Sequence, residues 1–408
     1  MVAARAASLA FAHLWVPLDA QSFRNVAAQL GAWDFHEYEG ARPPVYPLLL
    51  VLTHGHDHVT WVVQSILGCA SAVMIARVTE AETKSRAVGI AAGAFVAFGF
   101  YALCFEAAIM SECLGTALVS ASLFMVWKIF TDEASLRRAL LLGVLTGLAI
   151  LTRPIFMYLV VVYAIALRRG GIRHVAVFAA ASCGLVLAWS FFNWTTLGYF
   201  GPTTLLGYNL TNHCGAFIER APPEYAEIRD VYLHYRAPRL ALYGDHMQTI
   251  WDAFPEMLHV THLSYAGLSK RLFAMCVALI VQNPGAYLAS VVRAFGRFWL
   301  APNCRASTWL FPSGPMLARL WDLQEAIFIG SKLALLALAP LALWRRFASC
   351  FTRVVVAVVL GGAVFQAILE LGENDRYSVP LQPWAACAAL LLAHAAWRAT
   401  RRPIKASA

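Results

Sequence analysis

The sequence predicts an all-α polytopic membrane protein with about nine to eleven transmembrane helices and additional helices beside the membrane. Its 408 residues are 60% hydrophobic and 13% charged, whereas soluble domains contain roughly 45–50% apolar and 25% charged residues. Several apolar runs approach the ~20 residues that a helix needs to cross the hydrocarbon core. Because these runs are continuous rather than alternating, they exclude a membrane barrel built of strands.

Nine apolar segments are predicted to span the membrane. They lie at roughly 59–77, 87–106, 112–130, 139–151, 155–167, 174–192, 324–344, 354–371 and 379–397. We divide the chain into an N-terminal transmembrane module (1–192), an outer loop with interfacial helices (193–323), and C-terminal transmembrane helices with a basic tail (324–408). The apolar run at 6–17 is too short for a span and lacks a signal-peptide cleavage pattern, so a truncated N-terminus stays open.

Positive charges predict the orientation in the membrane. Arginine and lysine cluster in every second connecting segment, and the positive-inside rule places such segments in the cytoplasm. The net charge of +9 therefore indicates membrane orientation rather than a nucleic-acid partner. The remaining segments lie outside, namely 18–58, 107–111, the turn at Arg153, 193–323 and 372–378. We expect a multi-pass protein of the bacterial inner (plasma) membrane, with its unusual charged residues on the outer face, where such charges mark functional sites.

Chemistry on an outer face has no access to nucleotide sugars or ATP. An enzyme there needs an activated donor that arrives through the membrane, and a lipid-linked phosphate ester meets this need. Cations must then stabilise the leaving phosphate, and a carboxylate must deprotonate the acceptor hydroxyl. Arginine suits the first role because its planar fork matches phosphate oxygens.

Five stretches along the chain combine arginine, proline or acidic residues with apolar residues. They are "GARPPVYPLLLVL" (40–52), "FEAAIMSECLGTAL" (105–118), "LLGVLTGLAILTRPIF" (141–156), "QNPGAYLASVVRAFGRFW" (282–299) and "ENDRYSVPLQPW" (373–384). Together they resemble elements of the family 39, GT-C type membrane glycosyltransferases, which include protein O-mannosyltransferases and lipid A aminoarabinose transferases. The resemblance implies a GT-C-like bundle and transfer of a hexosyl or pentosyl group from a polyprenyl-phosphate-linked donor. The acceptor would be a hydroxyl of a cell-envelope glycan, a lipid or a protein, and the displacement would be single and inverting.

The resemblance implies two catalytic carboxylates. Asp19, in "VPLDAQSF", matches the aspartate of the first outer loop, the general base; Glu112 stands where the second outer loop offers an acid. Ordinary structural roles stay open, because aspartate caps helices well and glutamate suits a first helical turn. Ala20 stands where relatives often carry a second acid, so an inactive member of the same fold is a further alternative.

The resemblance also implies residues that bind the donor phosphate. These are Arg42, Tyr46, Arg153, Glu373, Arg376 and Tyr377. Lys332 is a further candidate from its position alone, since it lies inside an apolar span where it could line a cavity floor near the phosphate. In this hypothesis Arg376 neutralises the phosphate and Glu373 fixes the Arg376 rotamer. Alternatives are headgroup snorkelling by Arg42 or Lys332, interfacial anchoring by Tyr46, and a Glu373–Arg376 surface pair of little energetic value.

Three further possibilities remain open: a metal cofactor, a transport function and a disulfide. "THGHDH" (53–58) brings three histidines and Asp57 together, but alternating spacing suits a turn better than a helical ligand pair. We therefore assign no metal ligands, although a divalent metal cofactor stays open. A lipid or solute transporter, such as a flippase, is the rival function; transporters usually show repeated halves, and no repeat is visible here. Among the cysteines, only Cys214, Cys304 and Cys276 leave a disulfide open.

Overall fold

The computed structural model describes residues 5, 13–132, 135–302, 315–345 and 347–400. Within these ranges the regular secondary structure is helical, and the only strand-like contact is a single bridge between Trp15 and Ala108. This confirms the predicted all-α polytopic class.

Nine helices form the N-terminal part of the described chain. They are α1 (Asp19–Ala32), α2 (Val45–Leu52), α3 (Asp57–Thr83), α4 (Arg86–Ala97), α5 (Phe100–Glu106), α6 (Glu112–Thr131), α7 (Leu136–Thr152), α8 (Tyr158–Leu167) and α9 (Ile172–Leu197). Two of these helices have serine N-caps: the Ser85 hydroxyl of α4 and the Ser135 hydroxyl of α7 each accept a hydrogen bond from a backbone N–H of the first turn.

The rest of the described chain contributes nine more helices. They are α10 (Leu206–Cys214), α11 (Ala226–Tyr243), α12 (Thr249–Thr261), α13 (Tyr265–Gln282), α14 (Pro284–Phe298), α15 (Pro315–Arg345), α16 (Cys350–Leu369), α17 (Asn374–Tyr377) and α18 (Gln382–Thr400). The segment containing α10 to α13 has its own apolar core, in which Tyr208, Tyr232 and Leu272 are fully buried. The thiols of Cys214 and Cys276 are free and lie in this core, while Cys304 falls outside the described residues.

Seven helices of the described chain are long and apolar enough to cross a membrane. The number is eight if α4 and α5, which meet at a 47° bend, form one broken span. The predicted nine included α7 and α8, which have 17 and 10 residues. Conversely, α13 has the length and hydropathy of a span, although its sequence suggested an interfacial helix.

The glycine-rich run before Arg153 has a packing role. A Cβ atom at Gly143 would lie 2.6 Å from the Phe178 carbonyl oxygen, and one at Gly147 would lie 2.9 Å from Leu185. Small residues allow membrane helices to approach closely, and α7 packs closely against α9. This contact fixes the end of α7, and with it the position of Arg153.

Candidate functional site

Arg153 leaves the end of α7 in an extended conformation, with φ −146° and ψ 109°. Pro154 follows it, and a proline disfavours helical geometry in the residue before it. The buried guanidinium donates to the Glu112 carboxylate at 2.8 Å and to the Ser111 hydroxyl at 3.2 Å. It also lies 5.1 Å from the centre of the Tyr377 ring. The local break at Pro154 therefore directs Arg153 towards the start of α6 and towards α17.

Arg376, on the short helix α17, contacts three carboxylates. Its Nε donates to Glu112 at 2.6 Å, one terminal nitrogen donates to Asp19 at 2.9 Å, and the other donates to Glu373 at 2.5 Å. Glu112 is fully buried, and the same oxygen of its carboxylate accepts from both Arg376 and Arg153. Arg376 thus connects the turn before the last described helix with α1 and α6.

Asp19 is the first residue of α1, and each of its carboxylate oxygens accepts from a guanidinium group. One oxygen pairs with Arg42 and the other with Arg376, both at 2.9 Å. Arg42 is held in turn by a 2.8 Å hydrogen bond to the Ser22 hydroxyl and by the Phe23 ring, whose centre lies 4.5 Å away. The Asp19 carboxylate therefore serves these ion pairs rather than capping the helix.

These contacts define one group, which we call the arginine–carboxylate cluster. Its members are Asp19, Arg42, Glu112, Arg153, Glu373 and Arg376. Three guanidinium groups face three carboxylates, so the cluster is formally neutral. Six of the nine predicted site residues lie in it, and the Tyr377 ring stacks against its Arg153.

The ion pairs keep Asp19 ionised. Burial alone would raise the pKa of its carboxyl group, but Arg42 and Arg376 outweigh burial and lower the pKa from 3.8 to about 2. Asp19 is still 36% exposed, whereas Glu112 is 0% exposed. Of the two carboxylates predicted to be catalytic, Asp19 is therefore the one that is open to solvent, and Glu112 is a buried anion between two arginines.

Two predicted site residues face elsewhere. The buried Tyr46 hydroxyl donates to Gln64 at 3.2 Å, and its ring meets Phe23 edge-on at 4.9 Å, so Tyr46 helps to hold α2 against α1. The buried Lys332 ammonium donates to the carbonyls of Phe298 (3.1 Å) and Leu300 (2.9 Å) and to the Ser378 hydroxyl (3.3 Å). Lys332 thereby fastens the end of α14 to the residue that follows α17.

Sequence reasoning missed the residues that fix the Arg376 turn. Asn374 is fully buried, and its side-chain amide donates to Gln366 at 2.6 Å and to the Glu370 carbonyl at 2.8 Å. The Glu370 carboxyl accepts from Asn212 at 2.9 Å, which connects the turn to α10. Gln366 was the visible signal, since it is a polar residue inside the apolar run "VVVAVVLGGAVFQAILEL".

The histidine-rich stretch does not assemble a ligand set. Among the described residues no three histidine, cysteine or acidic side chains come together in an arrangement that could hold a metal ion. Asp57 instead pairs with Arg24 at 2.6 Å. Both of these residues and His54 line a cavity of about 350 Å³ between α1 and the turn after α2.

Comparison with known proteins gives a match over part of the chain. Residues 26–210, somewhat less than half of the chain, match a family model described as the Alg9-like mannosyltransferase family, which has the GT-C fold. No curated protein and no solved structure matches the chain at a significant level. The chain is a membrane glycosyltransferase, and the match supports a lipid-linked sugar donor. The match supports the GT-C class and does not extend to family 39, whose motifs pointed to that class.

Proposed function

We propose that the protein transfers a sugar from a polyprenyl-phosphate-linked donor to an acceptor hydroxyl at the outer face of the membrane. The observation that carries this proposal is the convergence of Arg376, Asp19 and Glu112 from three distant parts of the chain. Arginines for a phosphate and an approachable carboxylate for a hydroxyl proton are the two requirements of this reaction. The family description makes mannose the first sugar to test.

The proposed reaction is one displacement at the anomeric carbon. Asp19 takes the proton of the acceptor hydroxyl while that oxygen forms a bond to the anomeric carbon. The bond from this carbon to the phosphate oxygen breaks, and the lipid phosphate leaves with the electron pair. A single displacement inverts the anomeric centre. Arg376, Arg153 and Arg42 balance the charge of the leaving phosphate, as oriented guanidinium groups do in phosphate recognition.

The carboxylates have different roles in this proposal. Glu112 is buried and shared between two arginines, so it orients the phosphate-binding groups instead of meeting the acceptor. Asp19 lies at the exposed edge of the cluster and acts as the base. Its low pKa makes it a weak base while both arginines hold it, and a phosphate that draws Arg42 away strengthens it.

A transfer assay tests the function. Purified protein is incubated with radiolabelled polyprenyl-phosphate mannose, or with other sugars on the same carrier, and with cell-envelope fractions as acceptors. We expect covalently labelled product with the wild-type protein and its loss with Arg376→Gln. Movement of labelled lipid between leaflets of proteoliposomes without any covalent product would replace the proposal by the flippase alternative.

The outer-face assignment has its own test. Leu18, beside Asp19, is 99% exposed and contributes nothing to the ion pairs of the cluster, so Leu18→Cys reports the side of the membrane. Labelling of this cysteine in intact cells by a membrane-impermeant maleimide, above the signal of the native cysteines, is the expected result. Labelling only after the cells are opened would place the site in the cytoplasm.

A further inference from the structure

We propose that the Glu373 carboxylate occupies the position of a donor phosphate oxygen, and that Glu373 sets donor affinity by competing for Arg376. This inference rests on the proposed function, since it takes Arg376 as a ligand of the donor phosphate. It changes the predicted role of Glu373 from a support of the Arg376 rotamer to an internal competitor of the substrate.

The three carboxylates that contact Arg376 differ in their exposure and in whether they bind a second arginine. Glu112 is 0% exposed and also binds Arg153. Asp19 is 36% exposed and also binds Arg42. Glu373 is 49% exposed, and Arg376 is its single ion-pair partner in the described part of the chain. Glu373 is therefore the partner that an incoming anion can most easily displace.

The free energies of the ion pairs also make Glu373 the partner that is most easily displaced from Arg376. An exposed ion pair between residues three positions apart contributes little to stability, because water competes for both charges. Removing one partner of a buried pair is strongly destabilising, because the other charge stays buried without compensation. Displacement of Glu112 would leave Arg153 in that situation, whereas displacement of Glu373 returns its carboxylate to water.

The net charge of the cluster favours exchange of Glu373 for the donor phosphodiester over addition of the phosphodiester to the complete cluster. The cluster holds three guanidinium groups and three carboxylates, and a phosphodiester carries one negative charge. If the phosphodiester replaces Glu373 on Arg376, the cluster remains neutral; if it is added without displacement, the cluster gains an excess negative charge. Carboxylate and phosphate oxygens accept hydrogen bonds from the same N–H edge of a guanidinium group, so the exchange needs no new donor.

Arg376 does not need Glu373 for its orientation. Glu112 fixes its Nε and Asp19 fixes one terminal nitrogen, which together define the plane of the guanidinium group. Glu373 engages the remaining terminal nitrogen. Loss of Glu373 therefore leaves Arg376 in place with one free N–H group directed at the exposed edge of the cluster.

A titration of the full-length protein in detergent with farnesyl phosphate, a short prenyl phosphate, tests the inference. The variants are Glu373→Gln, Arg376→Lys and the matched control Glu80→Gln. Glu80 pairs with Arg77 at 3.7 Å as another exposed pair three residues apart, far from the cluster. We expect Glu373→Gln to bind about two- to fivefold more tightly than wild type, and Glu80→Gln to match wild type. In turnover with the lipid-linked sugar, Glu373→Gln should lower KM by a similar factor.

The possible failures are distinguishable. If wild type binds farnesyl phosphate, Arg376→Lys binds it more weakly, and Glu373→Gln gains no affinity, then Glu373 supports the guanidinium group and this inference is overturned while the proposed function stands. If wild type and Arg376→Lys bind the lipid phosphate equally, Arg376 is not its ligand and both proposals fall.

Discussion

Arg376 donates a 2.9 Å hydrogen bond to Asp19, a residue 357 positions earlier in the chain. The contact joins the turn before the last helix to the first helix of the described chain, and it brings the proposed phosphate ligand within reach of the proposed base. In the absence of substrate the two groups neutralise each other.

Glu112→Gln should destabilise the protein far more than Glu373→Gln. Arg153 and Arg376 both depend on one buried oxygen of Glu112, and loss of that charge leaves two guanidinium groups poorly compensated, at a cost of about 3–5 kcal/mol. The exposed Glu373 pair is worth at most about 1 kcal/mol. Thermal unfolding in detergent measures both variants, and equal shifts in Tm would show that Glu112 does not hold the cluster together.

Asp19→Asn should reduce kcat about 10²- to 10⁴-fold, because general-base catalysis contributes on this scale. Binding of farnesyl phosphate should persist, since the arginines remain. Asp57→Asn is the matched control: Asp57 also begins a helix on this side and pairs with an arginine, Arg24 at 2.6 Å, but lies outside the cluster. A normal rate of sugar transfer in Asp19→Asn would exclude Asp19 as the base.

Arg42→Gln should shift the acidic limb of the pH–rate profile to higher pH. The folded pKa of Asp19, about 2, lies below its ordinary 3.8 because of Arg42 and Arg376. The stabilisation from these pairs is therefore fully present above about pH 4 and is lost as the pH falls through about 2. With Arg42 absent, burial favours the neutral carboxyl group more strongly. The kcat/KM profile reports the free enzyme, and a profile identical to that of Arg24→Gln would contradict this assignment.

Lys332→Met should lower stability more than it lowers affinity for the lipid phosphate. The ammonium group satisfies two carbonyls at the end of α14 and the Ser378 hydroxyl, and leaving such buried acceptors unpaired costs about 1–3 kcal/mol. Unfolding and titration with farnesyl phosphate, carried out on the same preparation, separate the two roles. An unchanged Tm with a tenfold loss of affinity would make Lys332 a direct phosphate ligand, as the sequence predicted.

Hydropathy and short motifs were sufficient for the class and for naming the residues that the structure brings together in the arginine–carboxylate cluster. Continuous apolar runs require helices in a membrane, because every backbone polar group must be satisfied within its own segment. Charged residues such as Asp19, Arg153 and Arg376 stood out because a membrane protein places few charges near the bilayer. Helix ends were also readable: Pro154 alone predicts that α7 stops at the residue before it or earlier.

Pairing could not be read from the sequence. Nothing in the local pattern indicates that Glu112 shares one oxygen between Arg153 and Arg376, or that Lys332 binds carbonyls rather than an anion. Nor does it separate the buried Asn374 from its exposed neighbour Glu373.

The sequence by itself determined that this chain is a helical membrane protein with few charged residues, because composition and periodicity act locally along the chain. The tertiary structure decided which carboxylate meets which arginine, because an ion pair depends on distances between segments hundreds of residues apart. Burial then separated strong ion pairs from weak ones, since the same pair of charges attracts strongly inside the protein and weakly in water.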